Sequence, residues 1–185
     1  MLDAFGQLRD DAFIRIPLRP EDERYADIEG DRLKEMLLEV DAISLAELTD
    51  CTVLIAHVSQ PRLLDAIHAA RERGVSIFAE SCPHYFYLDT DDLKEKGPFV
   101  KFTPVLRAPE VKAGMRTYLG RDMVNTIGTD HCPFPRAMKE AGIDNIHDAP
   151  FGIPGVETTV RVMLNAVSEG LLSLNQLVKI CCEQP

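Results

Sequence analysis

The sequence predicts an α/β fold on a parallel sheet, and three observations carry that reading. Apolar, β-branched runs without polar alternation occur at residues 52–56, 75–79 and 123–128, as expected of strands buried on both faces. Stretches between them repeat apolar residues every three or four positions, the period of a helix with one packed face. Strand, helix, strand, helix, strand in that order is the pattern of a parallel α/β architecture.

The elements follow in order. Residues 1–50 form a charge-rich, partly helical segment with Pro17 and Pro20, in which Leu33, Met36, Leu37, Val40 and Ile43 mark a helix over 31–48. From residue 51 to 185 the α/β portion runs on. Its first strand, 52–56, ends in His57-Val58-Ser59, and a helix over 61–73 follows through Leu64, Ile67 and Ala70 until Gly74 stops it. The second strand, 75–79, ends in Glu80-Ser81-Cys82-Pro83-His84. After a helix over 111–119, the third strand, 123–128, ends in Thr129-Asp130-His131-Cys132-Pro133-Phe134. Gly, Pro and polar punctuation predicts a long loop over 136–155, then helices over 156–169 and 173–182.

Composition narrows the function classes. With 185 residues, 45% hydrophobic and 27% charged, the chain suits roughly one globular domain rather than a disordered or disulfide-built one. Twenty basic against thirty acidic residues leave a net charge of −10, which repels phosphate backbones and anionic bilayers. No nucleic-acid or membrane partner is therefore expected. The absence of a long apolar run and of a basic-then-apolar start suggests a cytoplasmic protein. Five cysteines, an odd number without CxxC spacing, suit reduced thiols.

Chemistry is expected where the strands end, because the carboxyl ends of parallel strands are where active sites form. His57 sits directly past an apolar strand, where one ring nitrogen is available to a metal; packing is the plainer reading for a lone histidine. Asp130 also follows a buried strand, and a carboxylate there must be hydrogen-bonded, paired or metal-bound to stay charged. An N-cap or a salt bridge is the competing role. His84 suits packing beside Tyr85 and Phe86, or orienting a substrate, while His68 and His147 fall on exposed positions. Cys132 and His131 are adjacent on an extended segment and so point apart, which disfavours thiol catalysis. The stretch Phe151-Gly152-Ile153-Pro154-Gly155 can bring backbone N–H groups to a ligand, but it has neither a P-loop lysine nor a GxGxxG pattern.

Five stretches taken in order, HVS at 57–59, ESCPHYFYL at 80–88, FTPVLR at 102–107, GTDHCPF at 128–134 and APFGIPGVET at 149–158, resemble the second half of the cyclic amidohydrolases. That family comprises dihydroorotases, dihydropyrimidinases or hydantoinases, and allantoinases. The resemblance implies the C-terminal portion of a TIM-type (β/α) barrel, strands six to eight with the helices after them, and hydrolysis of the C–N bond of a small-molecule cyclic amide. It implies a two-ion site, usually zinc with other divalent metals possible, in which His57 is a metal ligand and Asp130 is both a ligand and the proton-transferring acid and base. It places substrate contacts at Thr103, Arg107, His131, Phe151 and Gly152. The Phe-Gly pair is more like dihydroorotases and the DHCPF run more like hydantoinases. Relatives are often dimers or tetramers, so a homo-oligomer is possible.

One departure matters. The family's His-x-His pair, bridging lysine and fifth-strand histidine belong upstream, yet no histidine precedes His57 and no HxH occurs anywhere. The expectation is an incomplete barrel with little amidase activity alone; a non-catalytic relative acting as a scaffold or partner protein is the alternative. His57 and Asp130 are expected to share one rim, within about 12 Å of each other.

Overall fold

The computed structural model describes residues 14–15, 42–48 and 50–185. The expected helix over 31–48 is helical at 42–48 (α1), and its earlier part lies outside the described residues. The described residues divide into two compact units, one of 14–15, 42–48, 50–56 and 65–79, the other of 57–64 together with 80–185.

In the first unit, β1 (Ile14–Arg15) pairs parallel with β2 (Val53–Ile55), and β2 pairs parallel with β3 (Ile77–Ser81), Val53 opposite Ile77 and Ile55 opposite Ala79. The short β1 lies in a segment read from sequence as helical or irregular. Val53, Ile55, Ile77 and Ala79 are buried, as the unalternated runs require. The helix α2 (Pro61–Glu72) ends at Gly74, whose φ of +92° only glycine adopts freely. Gly74 N and Val75 N donate back to the carbonyls of Arg71 and Ala70, so both residues belong to the helix stop. That is why the strand begins at Ile77 and not at the expected residue 75.

In the second unit, the end of β3 pairs parallel with β4 (Thr126–Ile127), Glu80 opposite Thr126 and Ser81 opposite Ile127. Only those two residues of the expected 123–128 strand enter the ladder. Between the strands lie α3 (His84–Tyr87), α4 (Thr90–Lys96), a 3-10 turn (Gly97–Val100) and α5 (Pro109–Tyr118). Asp89 starts α4 with a capping box, accepting from the amides of Asp91 and Asp92 while Asp92 reaches back to the Asp89 amide. Cys82, Tyr85, Phe102 and Leu106 form a buried cluster, with Leu88, Leu93, Val100 and Ile153 packed against it.

The expected 136–155 loop is not wholly irregular. It holds α6 (Arg136–Glu140) and a 3-10 turn (Ile146–Asp148), because Pro135 fixes the helix entry and Arg136 pairs with Glu140 one turn on. The last helices are α7 (Thr159–Ser168) and α8 (Leu174–Val178), the latter running into a π-helical turn (Lys179–Glu183). Among the described residues no helix is long and apolar enough to cross a membrane.

Candidate active site

Backbone hydrogen bonds decide which residues meet. Val58 N donates to Glu80 O (2.8 Å), Ser81 Oγ to Val58 O (2.7 Å), and Gly128 N to Ser81 O (2.9 Å). Segments 57–59, 80–82 and 126–130 are thereby held side by side, which brings His57 and Asp130, past their strands, to Glu80 near the end of β3. His57 Nε2 lies 3.4 Å from Asp130 Oδ1 and 3.8 Å from Glu80 Oε1, well inside the expected 12 Å. All three side chains are partly exposed, so the cluster opens to solvent.

His57 and Asp130 have left-handed backbones, with φ of +57° and +43°. Such a conformation costs roughly 1–2 kcal/mol in a residue with a Cβ, and persists only where neighbouring structure holds it. Here the ladders on either side do so, and the turn carries each side chain off its strand direction. Gly128 leaves open the space that the Glu80 carboxyl group occupies. A Cβ there would stand 2.7 Å from the Glu80 carboxyl carbon.

The donor chemistry fits a divalent ion. Two ligand atoms each about 2.0–2.1 Å from a tetrahedral ion are about 3.3–3.4 Å apart, which is the His57–Asp130 separation. Glu80 and Cys82 bring further donors, since the ligand atoms of His57, Glu80 and Cys82 all lie within 4.8 Å of one another. Sequence reading missed Glu80 and Cys82 as metal donors. Their signal was position: Glu80 is the penultimate residue of β3 and Cys82 directly follows that strand, close to where His57 and Asp130 leave their own strands.

His84 is buried between rings, its centroid 4.4 Å from Tyr85 and 4.3 Å from Phe102. Burial, reinforced by the nearby His57, pushes its pKa down to about 3, so the imidazole is neutral. Its Nε2 is buried and has no hydrogen-bond partner among the described residues. The ring lines a largely apolar cavity of about 290 Å³ with Tyr87, Leu88, Thr129, Ile153 and Gly155. Neither His57 nor Asp130 lines this cavity; Thr129, next to Asp130 in the chain, does.

The residues expected to contact substrate separate into two segments. Thr103 is exposed and precedes a cis peptide bond to Pro104. Arg107 is half-buried and donates from Nε to Ser59 Oγ (3.2 Å), two residues past His57. In the second segment, Phe151 is exposed while Gly152 is buried and donates its amide to Lys101 O (3.0 Å). His131 Nδ1 accepts from the amides of Gly155 (3.0 Å) and Val156 (3.2 Å), which places its proton on Nε2 and ties this segment to the residue after Asp130. Cys132 does not face His131. Its Sγ contacts Phe151 O at 3.8 Å and its amide donates to Ile153 O.

No protein-family model matches the chain. It is 35% identical over 145 residues to the L-hydantoinase of Paenarthrobacter aurescens, a match covering 78% of this chain and 32% of that protein. It is also 35% identical over 144 residues to the dihydroorotase of Bacillus thuringiensis (strain Al Hakam), covering 77% and 33%. The solved L-hydantoinase (dihydropyrimidinase) from Arthrobacter aurescens superposes with a TM-score of 0.79 at 34% identity, over 83% of this chain and 34% of that one. A dihydroorotase from Saccharomyces cerevisiae, at 16% identity and a TM-score of 0.68, shares the fold. The chain thus spans about a third of the length of the curated relatives it matches. Over the stretch that matches, the proteins it is similar to are cyclic amidohydrolases, the group of the hydantoinases, dihydropyrimidinases and dihydroorotases.

Proposed function

We propose that residues 51–185 are the part of a cyclic amidohydrolase barrel that carries its last metal ligands and its proton-transferring carboxylate, and that the chain serves hydrolysis of a ring C–N bond in a small cyclic amide. The observation that carries this reading is the 3.4 Å approach of His57 Nε2 and Asp130 Oδ1 at adjoining segment ends. His57 and Asp130 would hold a divalent cation, zinc in the family's usual form, with Glu80 and Cys82 as further donors beside His57. A bound cation polarises a carbonyl and lowers the pKa of water.

Asp130 has the proton work. Its carboxylate accepts a proton from the attacking water and returns it to the leaving ring nitrogen, a transfer worth about 10²–10⁴ in rate. Arg107 is suited to a ring carbonyl oxygen and His131 Nε2 to a further acceptor, while the Gly152 and Gly155 amides are already engaged with Lys101 O and His131 Nδ1. Phe151 offers an apolar face. The names of the relatives make hydantoin, dihydropyrimidines and dihydroorotate the rings to try.

The test is a chimera in which this chain's matched residues replace the corresponding third of the P. aurescens L-hydantoinase. The expected result is ring opening of at least one of the three rings, lost on Asp130→Asn with metal content retained. A folded, metal-loaded chimera without turnover would favour the non-catalytic alternative. The 185-residue chain alone, supplied with zinc, is expected to show little turnover, since only two of the family's six ligands are identified in it.

A further inference from the structure

Away from the strand-end cluster, two lysines are almost wholly buried: Lys101 is 8% and Lys139 5% exposed. Buried ammonium groups are ordinarily paired with carboxylates. Neither of these is so paired among the described residues. Among the described residues, Lys101 Nζ donates to the carbonyls of Ala149 (2.6 Å) and Ile146 (2.7 Å), and Lys139 Nζ donates to the carbonyls of Pro150 and Lys101, both at 2.9 Å. Phe151 closes the arrangement, its ring centroid 4.1 Å from Lys101 Nζ, a cation–π distance. Desolvation, and then the charge of Lys101, hold the Lys139 pKa below the usual lysine range.

The partners show what these groups join. The Lys101 carbonyl accepts both from Lys139 Nζ and from the Gly152 amide (3.0 Å). Two residues after Lys101 begins the 103–107 segment, and immediately after Pro150 comes the 151–155 segment. Without the ammonium groups, the 146–150 carbonyls would turn inward without donors, a geometry that buried backbone does not tolerate.

We propose that Lys101 and Lys139 are positioning residues, a pair of buried ammonium groups that fixes the spacing between the 103–107 and 150–155 segments and so sets how a substrate ring is gripped. This rests on the reading that both segments face substrate. The lysines do not touch the reacting atoms, so their effect falls on ring recognition rather than on proton transfer.

The experiment compares the full chain with its Lys101→Met and Lys139→Met variants, which keep side-chain length and remove the ammonium. Amide hydrogen exchange is followed at residues 146–152 and, as the reference, at 77–81. Losing a charged hydrogen bond predicts exchange about 10- to 100-fold faster at 146–152, with 77–81 unchanged, and a shifted Gly152 amide proton resonance in Lys139→Met. Arginine at either position should recover part of the protection. Unchanged exchange at 146–152, or an equal rise at 77–81, overturns the proposal. If neither variant folds, acylation of the wild-type chain decides: Lys101 and Lys139 should react at least tenfold more slowly than exposed Lys94, and equal rates overturn the proposal. In the active chimera, each Met variant should raise KM about tenfold with kcat held within about threefold; a fall in kcat alone would contradict the assignment. A chimera that opens no ring overturns the functional reading, while the exchange comparison still decides on the lysines.

Discussion

The strand-end cluster and the 146–155 loop hold functional groups still by different means. At the strand ends, His57, Glu80 and Asp130 are placed by backbone ladders running through Val58, Ser81 and Gly128. In the loop there is little ladder to use beyond the single bridge of His131 to Ile153, and side chains take over: two ammonium groups and one imidazole hold the backbone by its carbonyls and amides. A ladder tolerates many sequences that keep the strand pattern. A side-chain clamp depends on individual residues, so single substitutions should separate the two regions.

The largest effect is expected at the ladder end. Asp130→Asn keeps an oxygen for a metal but cannot accept a proton, so turnover in the chimera should fall about 10²–10⁴-fold while metal content drops little. Near-normal rates would remove Asp130 from the proton path.

Next comes Gly152→Ala in the loop. Gly152 has φ of +144°, and an added Cβ would lie 2.3 Å from the carbonyl oxygen of Cys132. Strain and overpacking together predict a loss of about 2–4 kcal/mol, read from denaturant unfolding at constant slope. A loss under about 1 kcal/mol would mean that the loop moves aside and is held less firmly than described.

The smallest effect concerns a residue in neither region. Asp89 caps α4 and pairs with Lys112 at 2.5 Å, and that hydrogen bond leads the causes holding its pKa below the ordinary carboxylate value. A lowered folded-state pKa contributes stability that is present above the unfolded pKa and is lost as pH falls through the folded one. Asp89→Ala should therefore cost about 1 kcal/mol at pH 7 and progressively less below about pH 4. Melting curves at both pH values check this, and a pH-independent cost would point to packing instead of charge.

The difference between the regions also explains what could be read from the sequence. His57 and Asp130 were visible because each follows an apolar run, and strand direction then determines where the chain emerges. Glu80 was equally well placed, yet a lone glutamate after a strand carries no residue-type signal comparable to histidine. The strand starting at Ile77 rather than residue 75 was hidden because the cap after Gly74 consumes two residues that have strand-like side chains. The helix α6 and the turn at Ile146–Asp148 lay inside a segment whose Gly and Pro content reads as loop, and their order depends on Lys101, 45 residues from its Ile146 partner. Lys101 and Lys139 were not singled out by the sequence. Nothing in local periodicity marks a lysine whose partners are distant carbonyls.

Zinc affinity of the 185-residue chain tests the central claim most directly. Chelator competition on the wild-type chain, His57→Ala and Asp130→Ala should show one ion bound, each substitution weakening it at least about tenfold, and the double variant losing less than the sum of the two free-energy changes because both residues serve one ion. Zinc binding that neither substitution changes would contradict the account, since His57 and Asp130 would then share a rim without sharing a metal.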